Sequence, residues 1–179
     1  MFQNYLNCIF SHLSIHLFQT TNSKNVLLQI NNLELFSNVL NENYYNKILM
    51  NVIDISPEEL NISSHNYINN GERYIKKKTP DYFSIILAFH STYINEKLSL
   101  GYQYLSDIIC FLKHNSKFIL ESNLQEFFVN LIKNKETIYK IKTENKILCA
   151  PTLFYSVGII GISDDSLNTE TVSTFKTIQ

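Results

Sequence analysis

The segment from Lys78 to Phe118 constrains the fold of this chain more than any other. Thr79-Pro80-Asp81 opens it in an extended conformation, because proline fixes its own φ and disfavours a helical residue before it. The apolar run Tyr82–Phe89 follows and has the length and residue types of a strand covered on both faces. Steps of three and four then predict a helix that buries Leu98, Tyr102, Leu105, Ile108, Ile109 and Leu112. A buried strand that leads into an amphipathic helix requires packing partners from the rest of the chain.

The remaining patterned segments supply those partners. An N-terminal amphipathic helix is predicted over Phe2–Phe18, and a last strand over Phe154–Ile162. Shorter patterns predict strands at Val26–Ile30, Ile48–Ile55, Lys117–Glu121 and Ile138–Ile141, a helical turn at Ser56–Leu60, and a helix over Leu124–Ile132 capped by Asn123. Without a regular strand–helix alternation, these elements predict an α+β fold: a mixed, mainly antiparallel sheet packed by the N-terminal helix and the central amphipathic helix.

Length and composition predict one domain. The chain has 179 residues, and we expect a single α+β domain over residues 1–163. The polar stretch Asn61–Lys78 is predicted to be a long loop or extended arm. Residues 164–179 are polar and aperiodic, which predicts a mobile C-terminal tail.

Charge and cysteine content narrow the environment and the partners. The formal net charge of −1 provides no field that would attract nucleic acid or an anionic membrane, so neither is expected as a partner. Three widely spaced cysteines indicate reduced thiols and not a disulfide framework. His12 and His16 interrupt the first apolar run, which argues against a signal peptide. We therefore expect a soluble protein made in the cytoplasm.

Metal binding and catalysis lack sequence support. His12 and His16 share a helix face with Cys8, but Leu13 stands where a metalloprotease HExxH has glutamate, and the spacing suggests no fourth ligand. There is no GxxxxGK[ST], GxGxxG or GxSxG motif, and the adjacent carboxylates Glu58 and Glu59 point apart on a helix. The sequence predicts no metal site, no cofactor and no enzymatic activity.

Three blocks in a fixed order carry a resemblance to a known family. They are Ile53–Glu59, the pair Thr79–Phe89 and Tyr102–Leu112, and Ala150–Val157. Their order and spacing resemble the cap, or tail-terminator, proteins of extracellular contractile injection systems of the antifeeding prophage and Photorhabdus virulence cassette type. In that family a proline precedes a hydrophobic strand, a helix follows, and a late proline leads into the final strand.

The resemblance implies a structural role. Such proteins form a hexameric ring on the distal end of the inner tube and stop its growth, so the implied partners are further copies of the chain, the inner tube protein and, as an additional candidate, the sheath protein. The implied location is the cytoplasm during assembly and then a phage-tail-like particle. The candidate assembly surfaces are the helix with His12 and His16, the 61–78 arm with Asn69, Asn70, Lys76, Lys77 and Lys78, and the tail.

Two other interpretations remain open at this point. The chain could be the sheath terminator of the same kind of particle, since both are small α+β ring formers. It could instead be a small-molecule or nucleic-acid binding module with a sheet platform, which would be a monomer or dimer with an apolar pocket. Neighbouring genes for sheath, tube and an AAA ATPase would favour the terminator interpretations.

Overall fold

The computed structural model describes residues 2–30, 44–58, 67–69, 74–76, 82–122, 124–144, 151–160 and 171–172. Within these ranges three helices are α1 (Phe2–Thr21), α2 (Leu98–His114) and α3 (Lys135–Glu144). The strands are β1 (Leu27–Ile30), β2 (Ile48–Glu58), β3 (Tyr67–Asn69), β4 (Tyr74–Lys76), β5 (Tyr82–Ser91), β6 (Lys117–Leu120), β7 (Gln125–Leu131), β8 (Thr152–Ile160) and β9 (Thr171–Val172). The α+β prediction is confirmed.

The principal sheet has six strands in the order β1-β2-β5-β8-β7-β6. β1 is parallel to β2, while β7 is antiparallel to both β6 and β8. β5 runs antiparallel to its two neighbours, because hydrogen bonds join Thr92, just after β5, to Lys47, just before β2, and Ser91 to Pro151, just before β8. The sheet is therefore mixed and mainly antiparallel, as predicted.

β5 is the centre of this sheet and confirms the predicted buried strand. Ile85, Leu87 and Phe89 are fully buried on one face, and Ala88 and His90 are buried on the other. Alternate residues of a strand point to opposite faces, so both faces of β5 must be covered over its second half. The aromatic and β-branched composition of the segment suits this environment.

α1 and α2 cover the face that carries Leu87 and Ser91. α1 buries Tyr5, Leu6, Ile9, Leu13 and Leu17, in agreement with the predicted helical spacing. The Tyr5 ring meets Phe127 edge to face at 5.0 Å between centroids, and its hydroxyl donates a 2.6 Å hydrogen bond to Gln125 Oε1. α2 approaches β5 closely at Gly101, where a Cβ would lie 2.2 Å from Ser91 Oγ.

The buried face of α2 differs from the predicted one. The buried residues are Gly101, Tyr104, Leu105, Ile108 and Leu112. Leu98 and Tyr102, which the sequence pattern assigned to this face, are 39% and 54% exposed. The close approach at Gly101 rotates the helix so that Leu98 and Tyr102 lie at its flank.

α3 covers part of the opposite face, where an exposed strand over Ile138–Ile141 was predicted and is wrong. Asn134 Oδ1 accepts hydrogen bonds from the backbone N–H groups of Glu136 and Thr137, which caps a new helix. Ile138 and Ile141, three residues apart, then pack against Ala88 and Phe154. A four-residue apolar–polar–polar–apolar pattern fits either structure, and the cap together with the open sheet face favours the helix.

The predicted helix over Leu124–Ile132 is also wrong, because Gln125–Leu131 forms β7. Phe127 and Val129 are buried under α1 and α2, while Glu126, Phe128 and Asn130 point to the other face. The predicted strand at Lys117–Glu121 is confirmed as β6, which forms an antiparallel hairpin with β7. Position 123, the predicted cap, lies outside the described residues.

β2 is longer than expected. It continues through Ser56 and Pro57 to Glu58, so the predicted helical turn at this point is wrong as far as the described residues extend. Strand pairing in the sheet outweighs the local preference of the Ser-Pro-Glu sequence for a helix start. Positions 59 and 60 lie outside the described residues.

A second compact unit comprises Pro57–Phe83 and Ile160–Gln179, while the first comprises Met1–Ser56 and Ser84–Ile159. In the second unit β3, β4 and β9 form a three-stranded antiparallel sheet, with Tyr67 opposite Lys76 and Tyr74 opposite Val172. The predicted 61–78 arm therefore contains two short strands. The domain boundary at 163 stays a prediction. The 164–179 tail lies outside the described residues except for β9.

Candidate assembly surfaces

The two histidines of α1 contact aromatic side chains of their own chain. The His12 ring lies edge to face on Phe118 of β6 at 5.5 Å between centroids, and the His16 ring lies 4.6 Å from that of Phe111 in α2. His12 Nδ1 is 2.8 Å from the Cys8 carbonyl oxygen. These contacts fix α1 against β6 and α2, and they place the histidines at the edge of the outward surface and not at its centre.

The Cys8–His12–His16 group does not form a metal centre in the described part of the chain. Cys8 Sγ lies 3.8 Å from His12 Nδ1, but His16 is directed to Phe111. Burial, and then the Glu121 carboxylate, raise the pKa of the Cys8 thiol. Thiolate is the form that binds metal, so this shift disfavours coordination. Across the described ranges no three His, Cys, Asp or Glu side chains converge on one point.

The other predicted surface residues lie on the small sheet. Asn69 is the last residue of β3, opposite Tyr74, and Lys76 is the last residue of β4, opposite Tyr67. Asn70, Lys77 and Lys78 lie outside the described residues. The two predicted groups belong to different compact units, the histidines to the first and the arm to the second.

The outward side of α1 is an uncharged surface with apolar residues. Opposite its buried residues it presents a stripe at steps of three and four, which we call the α1 stripe: Asn4, Asn7, Ser11, Ile15 and Phe18. Ile15 is 57% exposed and Phe18 is 41% exposed. The first 23 residues contain no Asp, Glu, Lys or Arg, although charged residues make up 17% of the chain. This absence of charge is the sequence signal that could have identified the stripe.

A second apolar surface lies on the flank of α2. It comprises Leu98, Tyr102 and the half-buried Ile109, preceded by the exposed Ile94, and we call these four residues the α2 stripe. Phe111, which contacts His16 of α1, is two residues beyond Ile109 and therefore about 200° around the helix. The α2 stripe thus points away from α1. The sequence offered no signal for it, because the same residues fit a buried face.

A third exposed apolar group lies on the sheet face opposite α1 and α2. Ile119 of β6 and Phe128 of β7 are half exposed there. Lys117, opposite Phe128, forms a 2.8 Å ion pair with Glu126, opposite Ile119. Gly158, also opposite Phe128, has open space where a Cβ would be. This surface combines two apolar side chains with a pair of solvated charges.

An apolar cleft of about 260 Å³ lies between the start of α1 and the sheet. Phe2, Leu6, Met50, Val52 and Leu87 contribute to its lining, and none of the described residues that line it is charged. Its volume is slightly below the ~300 Å³ at which ligand pockets usually begin. A small-molecule site would also need convergent polar groups, of which the lining offers Gln3 and Gln29, since the Asn51 amide contacts His90 on the other face of the sheet.

A buried polar cluster lies in the centre of the sheet on the α3 face. His90 Nε2 is 3.1 Å from Asn51 Oδ1, and His90 Nδ1 is 3.0 Å from Thr152 Oγ1. The amide oxygen can only accept, so Nε2 carries the proton and Nδ1 accepts from the Thr152 hydroxyl. Burial, and then the positive charge of Lys142, lower the pKa of His90 to about 4. The neutral ring is held between three strands, which is a structural role.

The fold of this chain is similar to that of a solved protein structure. The chain resembles the sheath/tube terminator of the extracellular contractile injection system PVC in its extended state, with a TM-score of 0.55 and 11% sequence identity over 100% of this chain. It also matches the tube-terminating cap of the anti-feeding prophage with a TM-score of 0.42 and 12% identity over 74% of this chain, a likeness too weak to carry an argument. This chain spans 62% of the length of the first protein and 48% of the second.

Sequence comparison alone does not detect this similarity. No family model matches the chain, and no curated protein matches it either. No helix in the described ranges is long and apolar enough to cross a membrane. The resemblance inferred from the three ordered sequence blocks is confirmed by the fold: this chain has the α+β fold of a sheath/tube terminator of an extracellular contractile injection system.

Proposed function

We propose that the chain is the tube terminator of a contractile injection system, a ring-forming cap on the distal end of the inner tube. The observation that carries this proposal is the fold match over the whole chain to a protein described as a sheath/tube terminator. The three sequence blocks in the family's order support it independently. Among the described residues, the first compact unit carries several exposed apolar surfaces that partner proteins could cover.

The physics of tube growth explains what such a protein does. A tube of identical rings grows because each ring presents to the next the surface on which it was itself added, a contact that does not close along the axis. A terminator matches that surface on one side and presents a different surface on the other. Elongation stops because the next tube ring finds no complementary surface. This role requires no catalytic group, so we propose a structural protein without cofactor.

The proposal also assigns the partners of the chain. We assign the inner tube as the principal partner, other copies of the chain as ring neighbours, and the last sheath ring as a second contact. The protein then assembles in the cytoplasm and leaves as part of a phage-tail-like particle. Asn69, Asn70, Lys76, Lys77 and Lys78 of the arm are proposed to lie toward a partner, together with the α1 helix that carries His12 and His16.

Tube elongation in the presence of the purified protein tests the proposal. Tube protein from the same gene neighbourhood is polymerised alone and with substoichiometric terminator, and tube lengths are measured by negative-stain electron microscopy. We expect shorter tubes with density at one end. The Tyr139→Ser variant is a matched control, because Tyr139 is 72% exposed on α3 and should leave capping unchanged.

Unchanged tube lengths and bare ends would contradict the proposal. Sheath protein is tested in a parallel incubation. If the chain caps sheath and ignores tube, the sheath-terminator interpretation replaces the tube terminator. A monomer that binds neither but binds a small molecule in the cleft at Leu6 and Met50 would favour the binding-module interpretation.

A further inference from the structure

We propose that neighbouring copies of this chain join by packing the α1 stripe of one copy against the α2 stripe of the next. The proposal rests on the ring-forming role proposed above and adds the surfaces that make the ring. It commits to a second copy as the occupant of both stripes.

The chemistry of the α1 stripe determines what can cover it. Asn4, Asn7 and Ser11 are uncharged, and Ile15 and Phe18 add exposed apolar area at the C-terminal half. A helix that only faces water gains solubility from charged residues, whereas the centre of a protein–protein interface is depleted of them. An uncharged surface matches an uncharged partner, because a charge opposite it would lose water without gaining a counter-ion.

The α2 stripe is the matching surface on the same molecule. Its residues Ile94, Leu98, Tyr102 and Ile109 carry no charge, and neither does the exposed Ser106 between them; the exposed charged residues nearest to it, Glu96, Lys97 and Lys113, lie toward its two ends. The sheet surface around Ile119 and Phe128 is a poorer match, because a partner there would desolvate the Lys117–Glu126 ion pair.

The two stripes are different surfaces of one subunit, as the head-to-tail contacts of a ring require. A ring requires two different, complementary surfaces on each subunit, so that each contact is head to tail. The α1 stripe lies opposite the sheet, and the α2 stripe lies on the flank of α2 that is turned away from α1. The two stripes of one copy therefore cannot pack against each other. In a head-to-tail assembly, one α1 stripe and one α2 stripe stay uncovered until the ring closes.

Site-directed disulfide cross-linking tests the contact. The background variant replaces Cys8, Cys110 and Cys149 by serine, and Ile15→Cys and Tyr102→Cys are introduced separately. Under mild oxidation we expect little cross-linked dimer from either variant alone and abundant dimer from their mixture. The double variant should give a ladder that ends at the ring. Tyr139→Cys mixed with Tyr102→Cys is the control pair and should give only collisional background.

Three outcomes overturn the proposal: rings by electron microscopy without Ile15–Tyr102 cross-links, equal cross-linking in the control pair, or efficient cross-linking of Ile15→Cys with itself.

A charge swap gives a second measurement. Phe18→Glu and Tyr102→Lys should each abolish rings while circular dichroism stays unchanged, and their mixture should restore association at least tenfold. Persistent rings in both single variants would contradict the contact. Capping of tubes despite failed cross-links would leave the proposed function intact, and cross-linked rings that ignore tubes would refute the function alone.

Discussion

The two faces of the six-stranded sheet are built differently. The face under α1 and α2 is apolar and, apart from the cleft at the start of α1, closed, with Leu13, Leu87 and Phe127 fully buried in it. The face under α3 contains the His90–Asn51–Thr152 cluster and opens to water around Phe128 and Gly158. Only Ile141 of α3 is fully buried, whereas α1 buries five side chains.

The exposed sides of the helices on these faces show the opposite contrast. α3, which is lightly anchored, carries Lys135, Glu136, Lys140, Lys142 and Glu144, the composition of a helix in water. α1, which is firmly anchored, exposes Ile15 and Phe18 and no charged side chain. The number of side chains that a helix buries therefore does not determine which residues its exposed side carries. The rigid, closed side of the fold carries the surfaces that we assign to assembly.

The largest expected effect is a cavity in the closed face. Leu13→Ala should lower the free energy of unfolding by about 2–5 kcal/mol, because Leu13 is fully buried between α1 and the sheet. Ile141→Ala on the other face should cost less, since α3 can shift toward the cavity. Urea denaturation of both variants measures the difference. A larger loss for Ile141→Ala would reverse the comparison of the two faces.

The polar cluster predicts an acid sensitivity specific to the α3 face. The pKa of His90 is about 4 in the folded protein, below its ordinary value of 6.5. Between pH 6.5 and pH 4 the unfolded chain binds a proton at His90 that the folded protein does not bind. The free energy of unfolding should therefore fall as the pH falls, by ~3 kcal/mol at most near pH 4. His90→Gln should lose this part of the pH dependence. Denaturation curves at pH 7, 5.5 and 4.5 provide the measurement, and an identical slope in the variant would contradict the assignment.

A pair of glycines compares the packing of the two faces directly. In Gly101→Ala the new Cβ would meet Ser91 Oγ at 2.2 Å and Tyr93 Cβ at 2.8 Å, which should cost about 1–3 kcal/mol. Gly158→Ala is the matched control, because nothing lies within 4 Å of its Cβ position. We expect the control to change the thermal midpoint little. Equal losses in the two variants would show that α2 is not held tightly against β5.

The smallest effect is expected at the surface of α3. Lys140 Nζ lies 3.8 Å from Glu144 Oε1 with both side chains largely exposed. Lys140→Ala should therefore change stability by less than about 0.5 kcal/mol and leave any ring intact. Loss of rings in this variant, measured by size-exclusion chromatography, would assign an assembly role to α3 and weaken the contrast with α1.

The strongly periodic elements could be predicted from the sequence, and the short ones could not. The spacing of Leu6, Ile9, Leu13 and Leu17 admits one structure, and so does the apolar run that forms β5. β7 and α3 were assigned the wrong type, because segments as short as the nine residues of Leu124–Ile132 and the four of Ile138–Ile141 fit either periodicity until the neighbouring sheet decides. Strand pairing with β6 and β8 decides β7, and the Asn134 cap with Ile141 burial decides α3.

The candidate surfaces were only partly predictable for a related reason. The α1 helix could be chosen as an assembly surface from its sequence, but His12 and His16 contact Phe118 and Phe111 of their own chain. Which side of α1 faces outward depends on where β6 and α2 lie. Tyr102 and Leu98 could not be recognised as exposed, because the rotation of α2 is set by the close approach at Gly101.

The mass of the purified protein in solution tests the central claim most directly. Sedimentation velocity at micromolar concentration, with negative-stain images of the same sample, should show a six-subunit particle, about six times the 20.9 kDa chain, with a central hole. The Phe18→Glu variant should sediment as a folded monomer. A wild-type protein that stays monomeric at every concentration, alone and mixed with tube protein, would contradict the account.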